Sequence, residues 1–231
     1  MDARAVVHGR RSPCPLGSLN EMAAPSGDRS PPAPPSMGWL GPVAVLIPVK
    51  RFADAKVRLA PALTPEARAA LAREMADAVL VAARPLPVAV VCDDVDVAQW
   101  ARSRLALVVW EPGRGLNGAV ESGVAQLGLA GVTRVVVAHG DLPLAAGLAR
   151  IAPGDGVVLV PDLRRDGTNV AVVPTGAGFR FSYGPGSFER HREEARRLGL
   201  AVEVVDDPLL AFDVDWPDDL DALANTRPEA R

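Results

Sequence analysis

From Val43 onward, short β-branched runs alternate with stretches of helical periodicity, and that alternation confines the chain to an α/β fold built on a largely parallel sheet. Strands are predicted over 43–48, 88–91, 107–110, 134–138, 157–161, 169–174 and 201–205. Between the first two, Thr64 followed by Pro65 and Glu66 makes a helix start, and Leu71, Met75, Ala78, Val79 and Ala82 fall on one helical face. A second helix is expected over 117–129 with Val120, Val124 and Leu127 inward. A third, charged and on the surface, is expected over 187–198, where Arg190 with Glu194 and Glu193 with Arg197 have the spacing of i,i+4 pairs. The strands flanking 162–169 are too close for a crossover and read as a hairpin, so the sheet is mixed. A chain of 231 residues, 48% of them apolar, can bury one sizeable core.

Residues 1–40 are crowded with Pro, Ser, Gly and Arg, including the run Ser30-Pro31-Pro32-Ala33-Pro34-Pro35, and read as a disordered extension before a single domain over 41–231. Met22 and Met37 both precede the first strand, so a start codon assigned too far upstream gives the same appearance. A net charge of −3 lacks the electrostatic footprint of a protein that tracks a nucleic-acid backbone. The apolar run 43–48 falls far short of the ~20 residues that span a bilayer, and no secretory signal precedes it. A cytoplasmic protein without nucleic-acid or membrane partners is expected. Cys14 and Cys92 lie far apart with no ligand spacing, and are read as inert thiols.

The first strand runs into Pro48-Val49-Lys50-Arg51-Phe52-Ala53-Asp54-Ala55-Lys56-Val57-Arg58-Leu59, at the strand end where open α/β sheets take ligands. Lys50, Arg51, Lys56 and Arg58 concentrate positive charge there, suited to nucleotide phosphates or equally to a solvated basic loop. Neither G-x-G-x-x-G nor G-x-x-x-x-G-K-[ST] follows the strand, which weakens dinucleotide-reductase and P-loop readings. Gly115-Leu116-Asn117 leads into a helix and serves either as a base or ribose contact or as an ordinary cap. In His139-Gly140-Asp141-Leu142-Pro143, Asp141 is a candidate metal ligand or a helix cap, and His139 reads as structural. Asp213 and Asp215 stand at i and i+2, about 7 Å apart on one side of an extended backbone, and can share magnesium. Asp218 and Asp219 read as supports for a last short helix. The turn Tyr183-Gly184-Pro185-Gly186-Ser187-Phe188 opens a helix, where unpaired amides form an anion site and Ser187 is also a natural N-cap.

Taken in order, these pieces resemble the guanylyltransferases of deazaflavin coenzyme F-420 biosynthesis, relatives of the molybdenum-cofactor and sugar-phosphate nucleotidyltransferases. The resemblance runs from Val43 to about Leu223 and rests on Pro48-Val49-Lys50, Ala55-Lys56-x-Arg58-Leu59, Gly115-Leu116-Asn117, Gly140-Asp141-Leu142-Pro143, Asp166-Gly167-Thr168-Asn169, the 183–188 turn and Asp213-x-Asp215-x-Pro217. It implies a single nucleotidyltransferase domain that transfers GMP from GTP to phosphoenolpyruvate, 2-phospho-L-lactate or 3-phosphoglycerate. By position it implies that Asp141, Asp213 and Asp215 hold magnesium, with Asp141, Lys50 and Lys56 catalytic. Thr168, Gly184 and Ser187 would cradle the phosphorylated acid, and Pro48, Lys50, Lys56, Arg58, Gly115, Leu116 and Asn117 would serve the nucleotide. The product would pass to the next enzyme of the pathway. The long extension and His139 depart from the family pattern. A sugar-phosphate nucleotidyltransferase or glycosyltransferase, which shares the fold and the Asp-x-Asp device, is the competing enzyme reading, and a catalytically silent nucleotide sensor is the reading outside enzymes.

Overall fold

The computed structural model describes residues 40–226. The expected extension and Cys14 fall outside these residues, except Leu40, which packs partly buried against the core. Seven strands form one sheet: β1 (Val43–Pro48), β2 (Val88–Cys92), β3 (Leu107–Trp110), β4 (Arg134–Ala138), β5 (Val157–Pro161), β6 (Thr168–Pro174) and β7 (Val202–Val204). Their spatial order is β3-β2-β1-β4-β6-β5-β7, parallel except where β6 runs against both β4 and β5. The expected hairpin is β5-β6, closed by Asp162, whose carboxylate accepts from the Asp166 and Gly167 amides.

Among the described residues six helices flank the sheet: α1 (Pro65–Ala82), α2 (Val95–Ser103), α3 (Gly115–Leu129), α4 (Ser187–Arg197), α5 (Pro208–Ala211) and α6 (Pro217–Thr226). Strand alternation divides the core in two. Val45 and Ile47 of β1 face α1 and α2, whereas Ala44 and Leu46 face α3 and α4. With both faces covered, the central strands can be continuous runs of Val, Ile, Leu and Ala. α1 begins as expected, Thr64 Oγ1 accepting from the Ala67 amide at 3.2 Å, but its buried face is Ala72, Met75, Ala76, Val79 and Ala82, with Leu71 and Ala78 at the margins. α3 lies close against β1 through Gly123, where a Cβ would come within 2.8 Å of the Leu46 side chain. α2 was not expected from the sequence. Asp94 caps it, and Val97, Ala98, Trp100 and Ala101 bury its inner face.

Candidate active site

The carboxyl ends of β1 and β4 and the amino end of antiparallel β6 meet at one sheet edge, where the His139 amide donates to the Asn169 carbonyl at 3.0 Å. The basic loop after β1 folds as two 3-10 turns, Phe52–Asp54 and Val57–Leu59, anchored by buried Phe52 and Leu59. Lys56, between them, has left-handed backbone angles (φ 54°, ψ 41°), a conformation that costs a non-glycine residue on the order of 1 kcal/mol or more. Its ammonium group is enclosed, 8% exposed, and donates to Asp141 Oδ2 at 2.7 Å and Asp215 Oδ1 at 2.9 Å. Arg58 donates to the other oxygen of Asp215 at 3.0 Å and lies over the Trp216 ring. Lys50 is exposed and borders a cavity together with Lys56 and Arg58.

Burial disfavours the Lys56 cation, but Asp141 and Asp215 outweigh it and raise its pKa, so the ammonium persists. Burial likewise pushes the Asp141 carboxyl up, and Lys56 overcomes this and holds it below the usual carboxylate range. The carboxylate keeps a 27% opening to the cavity, yet its Oδ1 is sealed and lacks a hydrogen-bond partner. Asp213, with no ion pair among the described residues, is pushed up to about 6 by burial and by the negative charge of Asp141 and Asp215. Two carboxylates therefore share one enclosed ammonium, with Asp213 unpaired beside them. As the side chains stand, no three His, Cys, Asp or Glu among the described residues are grouped to hold a metal ion.

Beyond these carboxylates lies a cavity of about 400 Å³ that includes Asp141, Asp213, Thr168, Gly184 and Ser187 in its lining. Two expectations for the 183–188 turn are corrected here. Ser187 is the first residue of α4, after Gly186 at the N-cap position, and its Oγ accepts from the Thr168 amide at 3.1 Å. The amides of Ser187 and Phe188 do not point outward, because they donate to the carbonyls of Gly184 and Asp166. What Thr168 and Ser187 offer the cavity is hydroxyl groups. Arg190 also departs from its expected pairing: its guanidinium donates to the carbonyls of Ser182 and Pro185, while Glu194 pairs with Arg197. Among the described residues Glu193 makes no i,i+4 pair with Arg197, whose guanidinium is taken by that one-turn contact.

On the other side of the carboxylates, a cavity of about 390 Å³ is bordered by Pro48, Lys50, Lys56, Arg58 and Leu116. A smaller one at the ends of β1 to β3 adjoins Gly115. Asn117 is engaged within the protein, its Oδ1 accepting from the Tyr183 amide at 2.7 Å. That bond belongs to a pattern the sequence did not reveal. Along extended residues 180–183, the amides of Arg180 and Ser182 donate to Glu194 and His191 of α4, and those of Phe181 and Tyr183 donate to Glu121 and Asn117 of α3. Glu111 was also missed. Its carboxylate is locked by Ser122, Gln126 and Arg114 beside the Gly115 helix start. His139 packs against Tyr183, ring centroids 4.7 Å apart, with Nε2 buried and unpartnered. Asp219 supports the start of α6 as expected, accepting from the Asp215 and Trp216 amides. Cys92 is a buried free thiol whose pKa burial raises to about 11.

A mixed α/β sheet that gathers a basic strand-end loop and three carboxylates at one edge defines a nucleotidyltransferase type of domain. The fold is shared with a candidate nucleotide-diphospho-sugar transferase from Desulfovibrio desulfuricans, at a TM-score of 0.67 and 19% identity over 81% of this chain and 88% of that one. More particularly, residues 43–225 match the family described as Guanylyl transferase CofC like, and the chain belongs to that family. It is 41% identical to the phosphoenolpyruvate guanylyltransferase of Conexibacter woesei, over 77% of this chain and 85% of the relative. It is 36% identical to the 2-phospho-L-lactate guanylyltransferase of Methanothermobacter thermautotrophicus, over 76% of this chain and 81% of the relative. No helix among the described residues is long and apolar enough to cross a membrane.

Proposed function

We propose that the chain transfers GMP from GTP to phosphoenolpyruvate in the cytoplasm, releasing pyrophosphate, as a step toward a deazaflavin coenzyme whose next enzyme receives the product. The observation that carries this reading is the Lys56–Asp141–Asp215 cluster, whose Asp141 and Asp215 line both a cavity bordered by Lys50, Lys56 and Arg58 and one bordered by Thr168 and Ser187. Lys50 and Arg58 suit the triphosphate, and Pro48, Gly115 and Leu116 border the space left for the nucleoside. Thr168 and Ser187 can donate to the acid's anionic oxygens, with Gly184 shaping the turn beside them. The acceptor phosphate is already anionic near neutral pH and needs no general base. Its oxygen bonds to the α-phosphorus of GTP as the bond to the bridging oxygen of pyrophosphate breaks. Lys56 stands where it can offset the charge of the departing pyrophosphate.

Magnesium fits the donor set on two counts: Asp141 Oδ1 is buried without a partner, and burial together with the like charges of Asp141 and Asp215 raises the pKa of Asp213, a strain that a cation would relieve. Asp141, Asp213 and Asp215 would hold it, and it would supply charge neutralisation at the phosphate oxygens. The 41% identical relative supports phosphoenolpyruvate as acceptor, with 2-phospho-L-lactate or 3-phosphoglycerate as the alternatives. The test is to incubate pure protein with GTP, Mg²⁺ and each acid separately and weigh the products. The expected result is a guanosine diphosphate-linked adduct of phosphoenolpyruvate, none without a divalent cation, and a loss on the order of 100-fold or more in Asp213→Asn. An adduct of phospholactate alone would reassign the acceptor, and full turnover with a chelator would remove the metal.

A further inference from the structure

The proposed acceptor cavity depends on hydroxyl groups, and a hydroxyl is useful only if its proton is directed. Thr168 Oγ1 lies 3.0 Å from His191 Nδ1, and His191 Nε2 lies 2.9 Å from the Ser182 amide. A backbone N–H can only donate, so Nε2 is the bare nitrogen of the ring. A neutral imidazole then carries its one proton on Nδ1 and donates it to Thr168 Oγ1. Having accepted that bond, Thr168 has its own hydroxyl proton to give away, and Thr168 lines the cavity.

The ring is fixed in this sense. It is fully buried in an aromatic box, with the centroids of Tyr183, Phe179 and Phe181 5.0, 5.8 and 5.9 Å away. Burial foremost, with His139 and Arg190 assisting against Glu194, lowers its pKa to about 4, so the neutral form prevails near neutral pH.

We infer that His191 is a positioning residue for the phosphorylated acid: through Nδ1–H it presents the Thr168 hydroxyl as a donor to the acceptor's anion, and through Nε2 it holds the strap of extended residues 180–183 that leads to Gly184. This rests on the reading that the acceptor occupies the cavity beside Thr168 and Ser187. It predicts a defect in acceptor binding that loss of packing alone would not confine to one substrate.

The experiment measures kcat and both KM values for the wild type, Thr168→Val, His191→Phe, His191→Asn and the Thr168→Val/His191→Phe double variant. Removing one directed hydrogen bond should raise the acceptor KM about tenfold in Thr168→Val and in His191→Phe, with the GTP KM within about twofold of wild type. His191→Asn can place an amide donor where Nδ1–H was, and should bring the acceptor KM back to within about threefold. The double variant should be no worse than Thr168→Val, because both remove the same bond. If Thr168→Val leaves the acceptor KM unchanged, the acceptor lies elsewhere and the site reading fails. If Thr168→Val raises it but His191→Phe does not, or the two effects multiply, the site reading stands and the role of His191 is overturned. Should His191→Phe melt below the assay temperature, His191→Asn decides: an acceptor KM as high as that of Thr168→Val overturns the inference.

Discussion

Two residues at this edge hold backbone conformations their neighbours do not need, and both face the proposed substrates. Gly184 has φ +117°, outside even the left-handed region that other residues visit, while a Cβ built there meets no atom within 4 Å. Its requirement is conformational rather than steric. Gly184→Val should therefore cost roughly 1–3 kcal/mol of stability or displace the turn that sets Ser187 against Thr168. The acceptor KM should rise at least tenfold while the GTP KM moves much less, read by steady-state titration of each substrate. An effect confined to GTP would put the nucleotide at this turn and reverse the two sites. Lys56 is the second such residue, and its unusual backbone angles accompany the enclosure of its ammonium between Asp141 and Asp215.

Helix α4 buries a titratable group whose charge state sets its own stability. His191 has a folded pKa of about 4 against 6.5 when free, so its contribution is fully present above pH 6.5 and is lost as pH falls toward 4, at up to about 1.4 kcal/mol per pH unit. Asp213 acts oppositely. Burial foremost, with Asp141, Asp215 and Asp162 assisting against Lys56, raises its pKa from 3.8 to about 6, so it costs stability as pH rises through that window, less steeply because solvent reaches it. In metal-free buffer the two partly cancel between pH 4 and 6. Denaturant unfolding should show stability rising more steeply with pH in Asp213→Asn than in the wild type, and less steeply in His191→Phe. Parallel curves for all three would refute both assignments. The elements themselves were legible where periodicity was strong: the valine-rich strands, the Thr64-Pro65 helix start and the close pair of strands that became the β5-β6 hairpin. α2 was not, because it spans nine residues and its apolar face is only Val97, Ala98, Trp100 and Ala101. Asp141 could be read as a carboxylate at a strand end, and Asp213 and Asp215 as an i,i+2 pair on extended chain. His191 could not, since it stands one turn after Ser187 in a helix whose charges read as solvated, and its partners Thr168 and Ser182 come from β6 and the strap.

At the scale of the whole molecule, the sheet order makes the site. With β1 between β2 and β4, and β6 antiparallel, the loop after β1, the loop after β4, the start of β6 and the chain after β7 all emerge at one edge. Lys56 ties three of these segments together, since Asp141 and Asp215 lie 85 and 159 residues away in sequence. Removing one partner of an enclosed ion cluster is costly because the charges left behind are stranded, but these carboxylates are 27% and 37% exposed, which discounts the loss to about 2 kcal/mol. Lys56→Met should accordingly lower the melting temperature by roughly 4–8 °C in buffer containing a chelator. The three carboxylates would then repel one another with no enclosed cation among them, and Mg²⁺ would no longer compete with an ammonium for Asp141 and Asp215. Millimolar Mg²⁺ should therefore raise the melting temperature of Lys56→Met by more than it raises that of the wild type. Thermal denaturation of both proteins with and without Mg²⁺ decides it. A variant more stable than wild type in chelator would mean Lys56 does not tie the edge together, and an equal response to Mg²⁺ would mean the cation binds away from these carboxylates.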